Sequence, residues 1–112
     1  MKRLIQCCMV PSTDRGDYSY QRYVQNNSNV PFNFLRIEVG GRHDTRRVLA
    51  GIRNYYVASG SGCFTIENEG YEVMAGDLIT ILPGQTYSYQ GKMGLLEFNV
   101  DTGDGIAHED LE

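Results

Sequence analysis

The sequence predicts an all-β domain, either a sandwich or a barrel. Three observations predict it. Thirteen glycines and eight tyrosines among 112 residues make a composition of turns and strands. Short strand-forming runs alternate with turn signals at close spacing. No segment holds a helical period over three turns. A chain of 112 residues buries one modest core, so a single domain over 1–112 is expected. No internal repeat, low-complexity stretch or linker interrupts it.

The elements follow in order. Met1 to Val10 has Lys2 and Arg3 before a short apolar run. It is too short to span a membrane and lacks a small-residue cleavage site, so it reads as a first strand. Residues 11–31 are polar and turn-rich, with Tyr18 to Val24 a plausible edge strand. Phe32 to Val39 is a better one: Phe34, Arg36 and Glu38 share one face, and Leu35, Ile37 and Val39 the other. Gly40-Gly41 reads as its end. Val48 to Ala58 is the next strand region, interrupted at Gly51, and Gly60-Ser61-Gly62 reads as a tight connection. Cys63 to Ile66 and Tyr71 to Met74 flank a hairpin turn at Glu67-Asn68-Glu69-Gly70. Ala75-Gly76-Asp77 turns again, Leu78 to Leu82 is continuous apolar strand, and Pro83-Gly84 is a further turn. Tyr87 to Tyr89 and Gly94 to Val100 supply the last two strands, before an acidic tail over 101–112.

The formal net charge is −4, from 14 acidic and 10 basic side chains. That argues against nucleic acid as a partner, which needs a basic face for phosphates. The charge is uneven: Arg36, Arg42, Arg46, Arg47 and Arg53 cluster, while the tail is acidic. A solvated basic face and a solvated tail are expected, with one or two arginines free to bind an anion. Cys7, Cys8 and Cys63 form no CxxC or zinc spacing. Buried thiols in a reducing, cytoplasmic setting are expected, with no membrane partner.

Tyr56 to Gly62, then Gly76-Asp77 sixteen positions after Gly60, then Leu78 to Tyr87 resemble the strand-and-glycine elements and the second motif of the cupin family. The resemblance is specific from Tyr55 to Val100, and the best-matched core is 32–100. It implies a single jelly-roll β-barrel and, commonly in that family, a homodimer. Tyr56 and the N-terminal strand are the expected dimer contacts. Metal-binding cupins present two histidines and a glutamate, then a further histidine. Here the resemblance places Arg53 at the glutamate, Arg46 and Val48 or Arg47 and Leu49 at the histidine pair, and Tyr87 at the last histidine. No metal ligand and no cofactor is therefore expected, because a guanidinium cannot release its proton to a metal. His43 and His108 have no partnered spacing, and both read as exposed.

If Arg53 points inward, so do Tyr55 and Val57, and Tyr87 and Tyr89 face them. The candidate ligand-binding residues are Arg53, Tyr55, Tyr87, Tyr89 and Arg36: guanidinium forks for an anion and phenols for a sugar or aromatic ring. The leading expectation is a metal-free binding module for a small anionic or sugar-like molecule. A metal-free sugar epimerase or isomerase is the alternative, with Tyr87 and His43 transferring protons and Arg53 helping the phenol to ionise. A third is an interaction protein whose barrel is filled by its own side chains, with Arg53 paired to Glu38 or Glu97.

Overall fold

In the computed structural model, residues 3–112 are described. These residues form eight strands: β1 (Ser12–Asp14), β2 (Tyr18–Val24), β3 (Phe32–Ala50), β4 (Ile52–Ile66), β5 (Glu69–Met74), β6 (Leu78–Ile81), β7 (Thr86–Val100) and β8 (Ala107–Asp110). They make one antiparallel sheet in the order β1-β2-β3-β7-β4-β5, with β6 paired to β4 and β8 to β3. The alternation expected in β3 holds: Leu35, Ile37 and Val39 are buried in the core, while Arg36 and Glu38 are exposed. The hairpin at Glu67-Asn68 also holds, with both residues at positive φ (50° and 67°) as a two-residue primed turn requires.

The glycine pairs behave differently from the expectation. Neither Gly40-Gly41 nor Gly60-Ser61-Gly62 ends a strand; β3 and β4 run straight through them. Gly41 pairs with Gly91, and Gly91 with Gly62, so three glycines lie in one row across β3, β7 and β4. A Cβ on Gly91 would lie 2.6 Å from the Gly62 Cα and from the Ser61 carbonyl oxygen. Along this row the three long strands fold over, and one sheet closes on itself as a barrel. The crease brings the start of β4 against the start of β7. Arg53 pairs with Asn99, twelve positions along β7 from Tyr87, about 40 Å in an uncreased strand. Yet the Arg53 guanidinium reaches the Tyr87 hydroxyl at 3.4 Å.

Two terminal segments also depart from expectation. No strand forms in the described residues before Ser12. Cys7–Met9 is a single 3-10 turn, held by the Gln21 side-chain amide donating to the Cys7 and Val10 carbonyls. Met1 and Lys2 lie outside the described residues. Cys7 and Cys8 are exposed and Cys63 is partly buried, which corrects the expectation of buried thiols. The acidic tail is exposed, as expected, but it is not a free extension. Asp101 Oδ1 accepts from the Gly103 and Gly105 amides, and this turn sends the chain back as β8 along β3. There Arg46 meets Asp110 at 2.7 Å, Arg47 meets Glu109 at 2.6 Å, and Arg42 makes a two-point contact with Glu112 at 2.7 and 2.8 Å. The arginine cluster and the acidic tail are two sides of one ladder.

Candidate functional site

The inward face of the barrel has two regions. At the inner end, Tyr55, Phe64, Tyr87 and Tyr89 are buried and pack as tilted ring pairs with centroids 4.8 to 5.9 Å apart. At the outer end a polar cavity of about 360 Å³ opens. Its floor is a row across three strands: Asn33 on β3, Asn99 on β7 and Arg53 on β4. Glu97 follows on β7, and Tyr18, Tyr20, Arg46 and His108 form walls. The four floor residues are buried polar groups, 7%, 2%, 3% and 5% exposed for Asn33, Asn99, Arg53 and Glu97. Such groups are costly in a core unless each finds a partner.

Arg53 is the hub. Its Nη2 lies 2.7 Å from His108 Nδ1, its Nη1 donates to the Tyr87 hydroxyl at 3.4 Å, and the same nitrogen is 3.7 Å from Glu97 Oε2. The Tyr87 hydroxyl is in turn 2.8 Å from that of Tyr55. The Asn99 amide donates to Glu97 Oε2 at 2.8 Å, which fixes the orientation of the side chain. Two polar atoms of this cluster have no partner: Arg53 Nε and Asn99 Oδ1.

No protein-family model matches the sequence, and no curated protein matches it significantly. Solved structures do match. A histidine-to-glutamine variant of Streptomyces PAC13 with uridine superposes with a TM-score of 0.86 at 19% identity, over 100% of this chain and 92% of that one. Another Pac13 structure, described as a unique nucleoside dehydratase, gives 0.83 at 21% identity over 98% and 92%. Salicylate 1,2-dioxygenase from Pseudoaminobacter salicylatoxidans with gentisate gives 0.74 at 18% identity, over 90% of this chain and 31% of that one. The fold is a cupin-type β-barrel. Identities this low establish the fold and leave the chemistry to the residues of the site.

In this cupin-type barrel, three of the positions aligned above with metal ligands converge: Arg46, Arg53 and Tyr87. Arg46 lines the cavity and Val48 is fully buried, whereas Leu49 is exposed and Arg47 points out to Glu109. The first of the two spacings is therefore the one the fold uses. Among the described residues, no group of three or more His, Cys, Asp or Glu side chains is placed to hold a metal ion.

The expected site residues distribute as follows. Arg53 lines the cavity, and Tyr87 and Tyr55 stand behind it on a hydrogen-bonded chain. Tyr89 lies deeper, stacked on His43 with centroids 4.4 Å apart. Arg36 does not belong to the site: it is on the outer face of β3, half exposed, 3.4 Å from Glu38, because it alternates with the inward Leu35 and Ile37. Glu38 accordingly is not the partner of Arg53; Glu97 is. His43 is not in an exposed loop. It is a β3 residue opposite Tyr89 and 2% exposed. Its Nδ1 is 2.7 Å from the Asp44 carbonyl oxygen, so Nδ1 carries the proton and Nε2 keeps its lone pair. His108 is exposed as expected, but it sits on β8 and its ring contacts Arg53. Burial, then Glu97, hold the Tyr87 hydroxyl above its ordinary pKa despite Arg53. Arg53 therefore does not ionise the phenol, and Tyr87 acts as a neutral donor. Asn33 and Asn99 escaped the sequence reading. Their signal was present: Asn99 continues the inward face of Leu95 and Glu97, a polar residue at a core-facing position of an apolar strand.

Both histidines are held neutral. Burial, then Arg46, push His43 down to about 3, and burial, then Arg53, push His108 down to about 4. Between those values and about 6.5 the unfolded chain takes up protons that the folded chain refuses. Stability is therefore expected to fall as pH drops from about 6.5 toward 4. The carboxylates of Asp110 and Glu112, lowered by Arg46 and Arg42, lose their contribution only at lower pH. Melting temperatures recorded from pH 7 to 4 check this. His43→Gln and His108→Gln should each flatten the slope in that window, and an unchanged slope in both would contradict it.

Proposed function

We propose that this chain binds a small sugar-bearing molecule of nucleoside size in the polar cavity. The observation that carries the proposal is the buried floor of Arg53, Glu97, Asn99 and Asn33 facing open space. A barrel filled for stability alone would place apolar side chains there, as its inner end does. Arg46 and Arg53 already face Asp110 and Glu97, so the two most buried guanidiniums of the cluster are matched without an anion. The likeness to a barrel determined with uridine supports a ligand of this size and kind. Titration calorimetry and thermal shift with uridine test the proposal: saturable binding and a raised melting temperature are expected. No binding by uridine or by any of a panel of nucleosides and free pentoses would overturn it.

A second reading, proton-transfer catalysis, is favoured by one observation. His43 is a neutral imidazole with a free Nε2, and the Tyr87 ring, whose hydroxyl meets that of Tyr55, is stacked 6.1 Å from it. In a dehydration, Nε2 would take a proton from a sugar carbon next to a carbonyl. The neighbouring hydroxyl would leave with a proton from a donor as water, and a C=C bond would form. Tyr18, which lines the cavity and lies 4.7 Å from the imidazole, must turn aside for substrate to reach it. Loss of one water from carbonyl-bearing nucleosides, followed by mass spectrometry, is the test. His43→Gln should reduce turnover by a factor of about 100 or more while uridine still binds. Undiminished turnover in that variant removes His43 from the reaction.

A further inference from the structure

Resting on the sugar-binding reading, we infer that Arg53 Nε, Asn99 Oδ1 and Glu97 read the vicinal cis-diol of the ligand. The two unpartnered atoms belong to side chains that are 3% and 2% exposed, and both side chains line the cavity. They are direct neighbours, since Arg53 and Asn99 face each other across β4 and β7. The amide of Asn99 cannot turn to satisfy itself, because its nitrogen is committed to Glu97. A flip would set its carbonyl against a carboxylate.

The chemistry of the missing partner follows from the count of donors and acceptors. The cluster offers the cavity one donor, Arg53 Nε–H, and two acceptors, Asn99 Oδ1 and the Glu97 carboxylate. The complement must therefore give two protons and accept one. Two adjacent hydroxyls do this, since each donates and accepts. The imide edge of a pyrimidine has the opposite count, one N–H between two carbonyls. A phosphate or carboxylate has only acceptors and would face Asn99 Oδ1 and Glu97 unfavourably. The sugar, rather than the base or an anionic group, thus belongs on the floor of the cavity, beside Arg53 and the tyrosine pair.

Four ligands test this by titration calorimetry and chemical-shift titration: uridine, 2′-deoxyuridine, 2′,3′-dideoxyuridine and the base-free cis-diol 1,4-anhydroerythritol. Affinity is expected to fall at least tenfold on removing one hydroxyl and further on removing both. In Asn99→Leu the preference for uridine over dideoxyuridine should collapse. Circular dichroism establishes that this variant is folded; should it not be, the ligand series on the natural chain decides alone. Dideoxyuridine binding as tightly as uridine would overturn the diol reader and leave nucleoside binding standing. Binding of anhydroerythritol without any nucleoside would keep the diol reader and remove the nucleoside. Binding of neither would overturn both.

Discussion

Replacing Arg53 with methionine is expected to destabilise the protein by about 3 kcal/mol, because it strands a buried carboxylate. Glu97 is 5% exposed, and Arg53 is the cation facing it on the cavity floor. Methionine fills much of the same space, so lost packing is a small part of the effect. The variant also frees His108, which loses its 2.7 Å contact, and β8 should then exchange its amide protons faster. Urea unfolding gives the first quantity. Glu97→Gln in the Arg53→Met background should recover part of the loss, since the stranded charge is gone while the contact to Asn99 can persist. If Arg53→Met alone unfolds at the natural urea midpoint, the Arg53–Glu97 pair is not what keeps the carboxylate buried.

Gly60→Ala is expected to be at least as damaging. Gly60 sits at φ +77°, and a Cβ there would run into the Lys92 carbonyl oxygen of β7. The left-handed backbone alone costs an alanine about 1–2 kcal/mol. The remainder arises because the obstacle is backbone and cannot swing away, so β4 and β7 must part beside the crease. We expect a total of about 3 kcal/mol or more. Gly76→Ala is the control: its φ is +97°, but nothing lies within 4 Å of the added Cβ, so only the conformational cost of about 1–2 kcal/mol applies. Equal melting temperatures for the two variants would show that the approach of β7 at Gly60 imposes no cost.

Much of this fold was legible in the sequence because its signals are local. Tyr18–Val24 forms the strand expected there. The turns at Glu67-Asn68, Gly76-Asp77 and Pro83-Gly84 occur where the residues called for them, and the two faces of Phe32 to Val39 segregate as alternation demands. Two of the errors share a cause: they depend on partners distant in sequence. A glycine pair reads as a turn when seen alone, and only the glycine opposite it shows that Gly41, Gly91 and Gly62 make a crease. The tail is exposed as expected, but its pairing escaped notice because its carboxylates are matched by arginines more than 60 positions earlier. His43 looked exposed because Arg42 and Asp44 flank it, yet alternation turns those two outward and the imidazole inward. Of the candidate site, Arg53 and the tyrosines were found through their strand phase. Asn33 and Asn99 were passed over because an amide in a strand carries no motif.

The crease has a consequence for how the molecule opens. β3, β4 and β7 each cross it, so neither half of the barrel owns a complete strand set and no contiguous segment can detach as an independent unit. Amides of Tyr55, Tyr87 and Asn99 should therefore exchange with solvent only when the whole chain unfolds, at one common free energy. The edge strands β1 and β5 can fray first. Most contacts also join residues far apart along the chain, which predicts slow folding. The polar floor of the cavity then comes into being in the last, cooperative step, and a partly folded chain has none of it.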